Sequence, residues 1–299
     1  MTDPVMLAHV KGGAGIFAAL DQSGGSTAGA LEAYGLAAGS WSGDEDMFAL
    51  IHAMRVRIMT APSFDGRHVL GAILFERTMD GLAEGQPIPA YLRNRGVVPF
   101  LKIDQGLELE ADGVRLMKPI PGLADLLARA KSLGVFGTKM RSVVNRAETA
   151  GIAAIVAQQF QLARQVAEAG LMPILEPEIS IDALDRTAAE RSLMAEITRH
   201  LETLTADQQV MLKLTIPAIP DTYAPLVGHH RVARVVALSG GLSRDEACER
   251  LAHNHGVIAS FSRALLEDLD HGMDDSAFDG ALGAAIDQIY AASTVKRAP

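Results

Sequence analysis

Eight short apolar runs, at 15–21, 69–76, 97–104, 135–141, 171–178, 210–216, 232–239 and 257–262, recur along the chain with helical patterns between them. Runs of this length bounded by turn signals read as buried strands, and strands that alternate with helices imply parallel pairing. Parallel neighbours need a long crossover, which the intervening helices supply. Helical spacing is visible in Met47, Ile51, Met54 and Ile58 within 44–59, in 123–133, and in 152–168, which Gly170 stops; a long polar helix is expected at 182–204. Eight strand–helix units in 299 residues, without repeat or linker, predict an α/β fold: one single-domain (β/α)8 TIM barrel spanning 1–299. The competitor is a doubly wound open sheet. The first turn, Gln22-Ser23-Gly24-Gly25-Ser26, lacks G-x-G-x-x-G, and the chain lacks a P-loop, so nucleotide-binding open sheets lose ground.

The sixth run shows what these strands carry. Side chains on a strand alternate faces, which puts Val210, Leu212, Leu214 and Ile216 on one side and Met211, Lys213 and Thr215 on the other. The apolar face can pack on helices, leaving the Lys213 ammonium pointing the opposite way. A lone lysine at a strand end usually snorkels to water. Here the other runs end alike: in Asp21, Lys102, Lys139 with Arg141, Glu176 with Glu178, and Ser239, with Arg263 just after the eighth. A barrel gathers its C-terminal strand ends at one mouth, where the sites of this fold lie. Charges are seldom buried without purpose, so this rim is read as a reaction centre.

Lys213 is the candidate amine nucleophile. At a reference pKa of about 10.4 it is protonated near neutrality, and burial beside Lys139 and Lys102 is expected to lower that value. Glu176 and Glu178 share a strand face and are expected to look toward Lys213 together, one as acid and one as base. Ser239-Gly240-Gly241, with Ser262 and Arg263, follows strands seven and eight, where barrels commonly hold phosphate. Ser23, Ser26 and Lys102 make a second candidate anion site across the mouth. An amine, an acid/base pair and two anion sites suggest carbon–carbon bond chemistry on a doubly phosphorylated sugar.

The net charge of −9 argues against nucleic acid and an anionic membrane surface as partners, though not against a small anion held by local charge. No apolar run approaches the length of a membrane span, and the first fifteen residues show no secretory pattern. The single Cys248, in a helical pattern that makes it a packing thiol, fits a reducing cytoplasm. His229, His230, His253 and His255 bring no third ligand at a strand end, so neither a metal nor another cofactor is expected.

The ordered motifs are Ala19-Leu20-Asp21-Gln22-Ser23-Gly24-Gly25-Ser26, Phe100-Leu101-Lys102-Ile103-Asp104, Gly137-Thr138-Lys139-Met140-Arg141, Pro173-Ile174-Leu175-Glu176-Pro177-Glu178, Met211-Leu212-Lys213, Leu238-Ser239-Gly240-Gly241 and Ser260-Phe261-Ser262-Arg263-Ala264-Leu265. Each is weak alone, but their sequence along nearly the whole chain resembles the class I fructose-bisphosphate aldolases, most of all their bacterial branch. The resemblance implies metal-independent, reversible cleavage of fructose 1,6-bisphosphate to dihydroxyacetone phosphate and glyceraldehyde 3-phosphate, as in glycolysis and gluconeogenesis. It implies a Schiff base on Lys213, Glu176 as principal acid/base, and Glu178 as its neighbour in carbinolamine chemistry. Asp21 then helps cleave C3–C4, Lys139 polarises substrate hydroxyls, and Arg141 belongs to the same cluster. Ser239, Gly240 and Arg263 match the C1 phosphate site; Ser23, Ser26 and Lys102 match that of the C6 phosphate. Gln22 departs from the glutamate of the animal enzymes. The chain also lacks their terminal tyrosine, which leaves open a role for Tyr290 or the tail in proton transfer. A Schiff-base aldolase for another phosphorylated sugar, or a silent phosphosugar-binding scaffold, is the alternative; intact Lys213, Glu176 and Asp21 speak against the scaffold. The expected partner is a small phosphorylated sugar, and a homo-oligomer is compatible with the sequence.

Overall fold

The computed structural model describes residues 3–298. Its centre is a closed barrel of parallel strands: β1 (Ile16–Leu20), β2 (Val69–Leu74), β3 (Val98–Lys102), β4 (Gly137–Val144), β5 (Met172–Ile179), β6 (Val210–Thr215), β7 (Val232–Leu238) and β8 (Ile258–Phe261). Each pairs with its neighbour in sequence, and β8 closes on β1. All eight expected runs are therefore strands. The fourth reaches further than its pattern predicts, to Val144, because the short strand Val114–Arg115 pairs antiparallel with its end.

Alternation sorts the barrel residues as expected. Val210, Leu212, Leu214 and Ile216 lie in the layer between strands and helices, whereas Met211 lies inside the barrel. The lower interior is filled by aromatic rings: Phe17 and Phe100 have centroids 5.5 Å apart, Phe100 and Phe136 5.4 Å. Glycines on neighbouring strands make room for them. A Cβ on Gly71 would stand 2.6 Å from Phe17 Cε1, and one on Gly137 would stand 2.7 Å from Phe100 Cε1. Large and small residues thus interlock as a close-packed interior requires.

Beneath these rings a helix, Pro4–Gly12, closes the N-terminal end of the barrel with Met6, Leu7 and Val10. Its weak periodicity hides it in the sequence, but Asp3 caps it by accepting from Val5 and Met6 N–H at 2.9 and 3.1 Å. The outer helices include Asp44–Thr60, Leu123–Ser132, Thr149–Glu168, Arg186–Leu201 and Arg244–Ala252. The polar helix expected at 182–204 is thus shorter at both ends. A last helix, Asp275–Thr294, carries Tyr290, whose ring centroid lies 4.5 Å from that of His68. Lys296 Nζ donates to the carbonyls of Leu251, Val257 and Ala292 at 3.1, 2.8 and 2.8 Å. His68 and Val257 directly precede β2 and β8, so Tyr290 and Lys296 sit at the N-terminal end of the barrel, opposite the charged strand ends. Among the described residues no helix is long and apolar enough to cross a membrane.

Candidate active site

Alternation on β4, β5 and β6 turns Lys139, Glu176 and Lys213 inward at the C-terminal end, and Asp21 follows directly on β1. There they form one chain of ion pairs. Asp21 Oδ2 lies 2.7 Å from Lys139 Nζ, Lys139 Nζ 2.6 Å from Glu176 Oε2, and Glu176 Oε1 2.9 Å from Lys213 Nζ. All four residues are buried, the most exposed at 7%. Burial of this kind is tolerated because each charge meets an opposite one.

The electrostatics follow from this pairing. Burial raises the Asp21 carboxyl, but Lys139 and then Lys213 outweigh it and bring the pKa down to about 2. Glu176 is also lowered, the same two cations overcoming its burial. Burial works against the Lys139 ammonium, yet Asp21 and Glu176 hold it above the ordinary lysine range. Both carboxylates are therefore ionised at rest.

The expected pairing of Glu176 and Glu178 around Lys213 is corrected here. Glu178 accepts from Arg141 Nε at 2.5 Å, and the carboxylate paired with Lys213 is Glu176. Instead of the upward shift that two adjacent carboxylates predict, Glu176 moves down, because cations flank it on both sides. Burial opposes the Arg141 charge, and its bond to Glu178 more than restores it. Lys102 stands beside Lys139 in the strand register, but its ammonium is engaged by Asp104, through the carboxylate and the backbone carbonyl, each at 2.6 Å.

Two loops flank the cluster. Ser239 is buried at the end of β7, and Gly240 and Gly241 follow with φ of +67° and +110°, conformations that suit glycine. The guanidinium of Arg263, at the start of the short helix Arg263–Leu266, lies against Gly241, where a Cβ would stand 3.1 Å from Nη2. Across the mouth, Ser23 is half-buried in the turn after β1. The side chain of Ser26 lies outside the described residues.

A family model described as "Fructose-bisphosphate aldolase class-I" matches residues 7–219. A protein of Synechocystis sp., named "Fructose-bisphosphate aldolase class 1", is 53% identical over 288 residues, which cover 96% of each chain. The chain belongs to the class I fructose-bisphosphate aldolases. Its fold recurs in the fructose-bisphosphate aldolase of Plasmodium falciparum, with a TM-score of 0.80 at 19% identity over 99% of this chain and 95% of that one. An archaeal fructose-1,6-bisphosphate aldolase shares it at 0.52 and 12%, over 96% and 98%. The barrel with its inward lysines is thus an aldolase-family fold.

Three participants escape a reading by strand ends. Asp104 ends the third run without a role in that reading, yet it neutralises Lys102. Arg55 is 1% exposed on helix Asp44–Thr60 and reaches under the end of β1, donating to the Gln22 carbonyl and, at 2.9 Å, to Thr78 Oγ1. Burial lowers its pKa to about 10, against the pull of Asp21. The signal was present, since Arg55 falls four residues after Ile51, on the apolar stripe. Gln22 Nε2 donates to Ser262 Oγ at 2.7 Å and links the β1 and β8 loops. Gln22 Nε2 also donates to the Ala19 carbonyl at 3.3 Å, a bond that a glutamate carboxylate cannot make, so the departure at Gln22 has a structural use. The histidines are engaged elsewhere: His229 with Glu202 at 3.0 Å and His255 with Asp221 at 2.8 Å.

Proposed function

We propose that this chain cleaves fructose 1,6-bisphosphate reversibly to dihydroxyacetone phosphate and glyceraldehyde 3-phosphate, through an imine on Lys213. The observation that carries the reading is the Glu176 carboxylate lying between two buried ammoniums, 2.9 Å from Lys213 and 2.6 Å from Lys139. A lysine ammonium must lose its proton before it can attack a carbonyl, and Glu176 is within reach to take it. The free amine adds to the C2 carbonyl. Glu176 returns its proton to the C2 oxygen, then carries a second proton from the added nitrogen to the same oxygen, which leaves as water and yields an iminium ion.

In this reading Asp21 accepts the proton of the C4 hydroxyl, with Lys139 holding the substrate hydroxyls beside it. The C3–C4 electron pair moves to the iminium nitrogen and glyceraldehyde 3-phosphate departs. Protonation of the resulting enamine at C3 and addition of water release dihydroxyacetone phosphate and restore Lys213. Glu178 and Arg141, paired one step along their strands, border the carbinolamine. Ser239, Gly240, Gly241, Ser262 and Arg263 hold the C1 phosphate; Ser23, Ser26 and Lys102 hold the C6 phosphate. The family membership supports the substrate, and the archaeal relative is described with its catalytic lysine bound to the carbinolamine intermediate. We place the enzyme in the cytoplasm, where phosphorylated sugars are handled, and read it as one barrel domain.

Borohydride reduction with dihydroxyacetone phosphate tests this. It should inactivate the enzyme and add the mass of the reduced adduct to the peptide containing Lys213. A label on another lysine, or activity abolished by EDTA and restored by zinc, overturns the reading in favour of metal-assisted enolisation.

A further inference from the structure

We infer that Thr215 is a positioning residue that fixes Lys213 against Glu176 by tying the ends of β5 and β6 together; the inference rests on the imine reading of Lys213. The backbone ladder between these strands pairs Ile174 with Met211 and Leu175 with Leu212. The next residue on each strand is the reacting one, Glu176 and Lys213. On the far sides the ladders run on: β4 pairs with β5 as far as Val144 and Ile179, and β6 with β7 as far as Thr215 and Leu238. Between β5 and β6 a side chain takes over. The Thr215 hydroxyl accepts from Ile179 N–H at 3.0 Å and donates to the Ile179 carbonyl at 2.7 Å. Both residues are 1% exposed, so water offers no substitute for either bond.

The same junction is gripped from behind. Helix Arg186–Leu201, which follows β5, carries the pair of half-buried Arg186 and buried Glu190 at 2.8 Å. Glu190 accepts from Ala218 N–H at 3.0 and 3.2 Å, and Arg186 donates to the Ile216 carbonyl. The segment just beyond Lys213 is thus bound to the strand and to the helix that present Glu176. This matters because proton transfer needs the Lys213 nitrogen and the Glu176 oxygen at hydrogen-bond distance, and their spacing is that of β5 and β6. A paired ladder fixes such a spacing by itself. Here the reacting pair lies between the last ladder rung and the hydroxyl tie.

Thr215→Val retains the branched shape but removes donor and acceptor, and leaves two buried backbone groups unpartnered. Thr215→Ala does the same without placing a methyl against Ile179, and Thr215→Ser keeps the hydroxyl. Rates are taken per folded enzyme, with the folded fraction from circular dichroism. The valine and alanine variants should lose about 10- to 100-fold in kcat, the scale of a small misplacement, with KM nearly unchanged and Lys213 trapped more slowly by borohydride. Serine should restore most of the rate. Wild-type kcat in both variants that lack the hydroxyl, a serine variant as slow as they are, or a loss confined to KM overturns the inference. Absence of a Lys213 adduct in the wild-type enzyme instead overturns the imine reading, so the two failures are distinct.

Discussion

Asp21 Oδ2 lies 2.7 Å from Lys139 Nζ, a buried pair that ties stability to an ionised carboxylate. Burial alone would raise the carboxyl, but the cations bring its pKa from 3.8 to about 2. The folded value lies below the unfolded one, so the unfolded chain takes up its proton first as the pH falls. The resulting contribution, about 2 kcal/mol, is complete above the unfolded value and is lost between about pH 4 and pH 2. Asp21→Asn should therefore flatten the fall of stability over that interval, as measured by urea unfolding at stepped pH. An unchanged slope would show that other carboxylates carry it.

The packing beneath the charges has its own test. A methyl on Gly137 would meet the Met172 carbonyl and the Phe100 ring together. The first is backbone and cannot turn aside. Gly137→Ala should cost about 1–3 kcal/mol, the usual range for overpacking a filled core, and lower the melting temperature in calorimetry. A melting temperature at or above wild type contradicts the interlocked interior.

The sequence announces this much because a barrel strand writes its two faces into alternate positions. Leu212 and Leu214 mark the helix side of β6, and Lys213 between them marks the mouth. What alternation does not fix is where a long side chain ends. Lys139 and Lys102 were expected to crowd Lys213 as like charges. The first is instead neutralised by Asp21 and Glu176, the second by Asp104. Glu178 likewise follows Glu176 on the same face but turns to Arg141. Partners of this kind depend on rotamers and on strand register, neither of which a single strand pattern contains. Helix Pro4–Gly12 escaped for another reason: much of its surface is solvated, and few of its side chains enter the core.

Arg263 and Gly241 give a prediction about phosphate. Charge-assisted hydrogen bonds of this kind are worth about 1.5–3 kcal/mol. Arg263→Ala should weaken use of fructose 1-phosphate and of the bisphosphate by a similar factor in kcat/KM. Gly241→Ala should reproduce part of that loss, because its methyl presses on the guanidinium and its φ of +110° disfavours a side chain. Loss with the bisphosphate alone would mean that Arg263 serves the other phosphate.

Glu176→Gln separates imine formation from turnover. The carboxamide preserves shape and an acceptor oxygen, but it no longer exchanges a proton, nor does it neutralise Lys139 and Lys213. Lys139 keeps Asp21; Lys213 loses the carboxylate 2.9 Å away. The variant should fold with reduced thermal stability, since a buried cation has lost its counter-charge. Its kcat should fall by about 10² to 10⁴, the usual worth of a placed acid/base group, while substrate binding stays near normal. Some reduced adduct should still form on Lys213 during long incubation with borohydride, because water can slowly carry the proton. Glu178→Gln should be much milder, as that carboxylate is held by Arg141 at 2.5 Å rather than by the amine. The opposite order of the two variants in kcat would transfer the proton-shuttling role to Glu178.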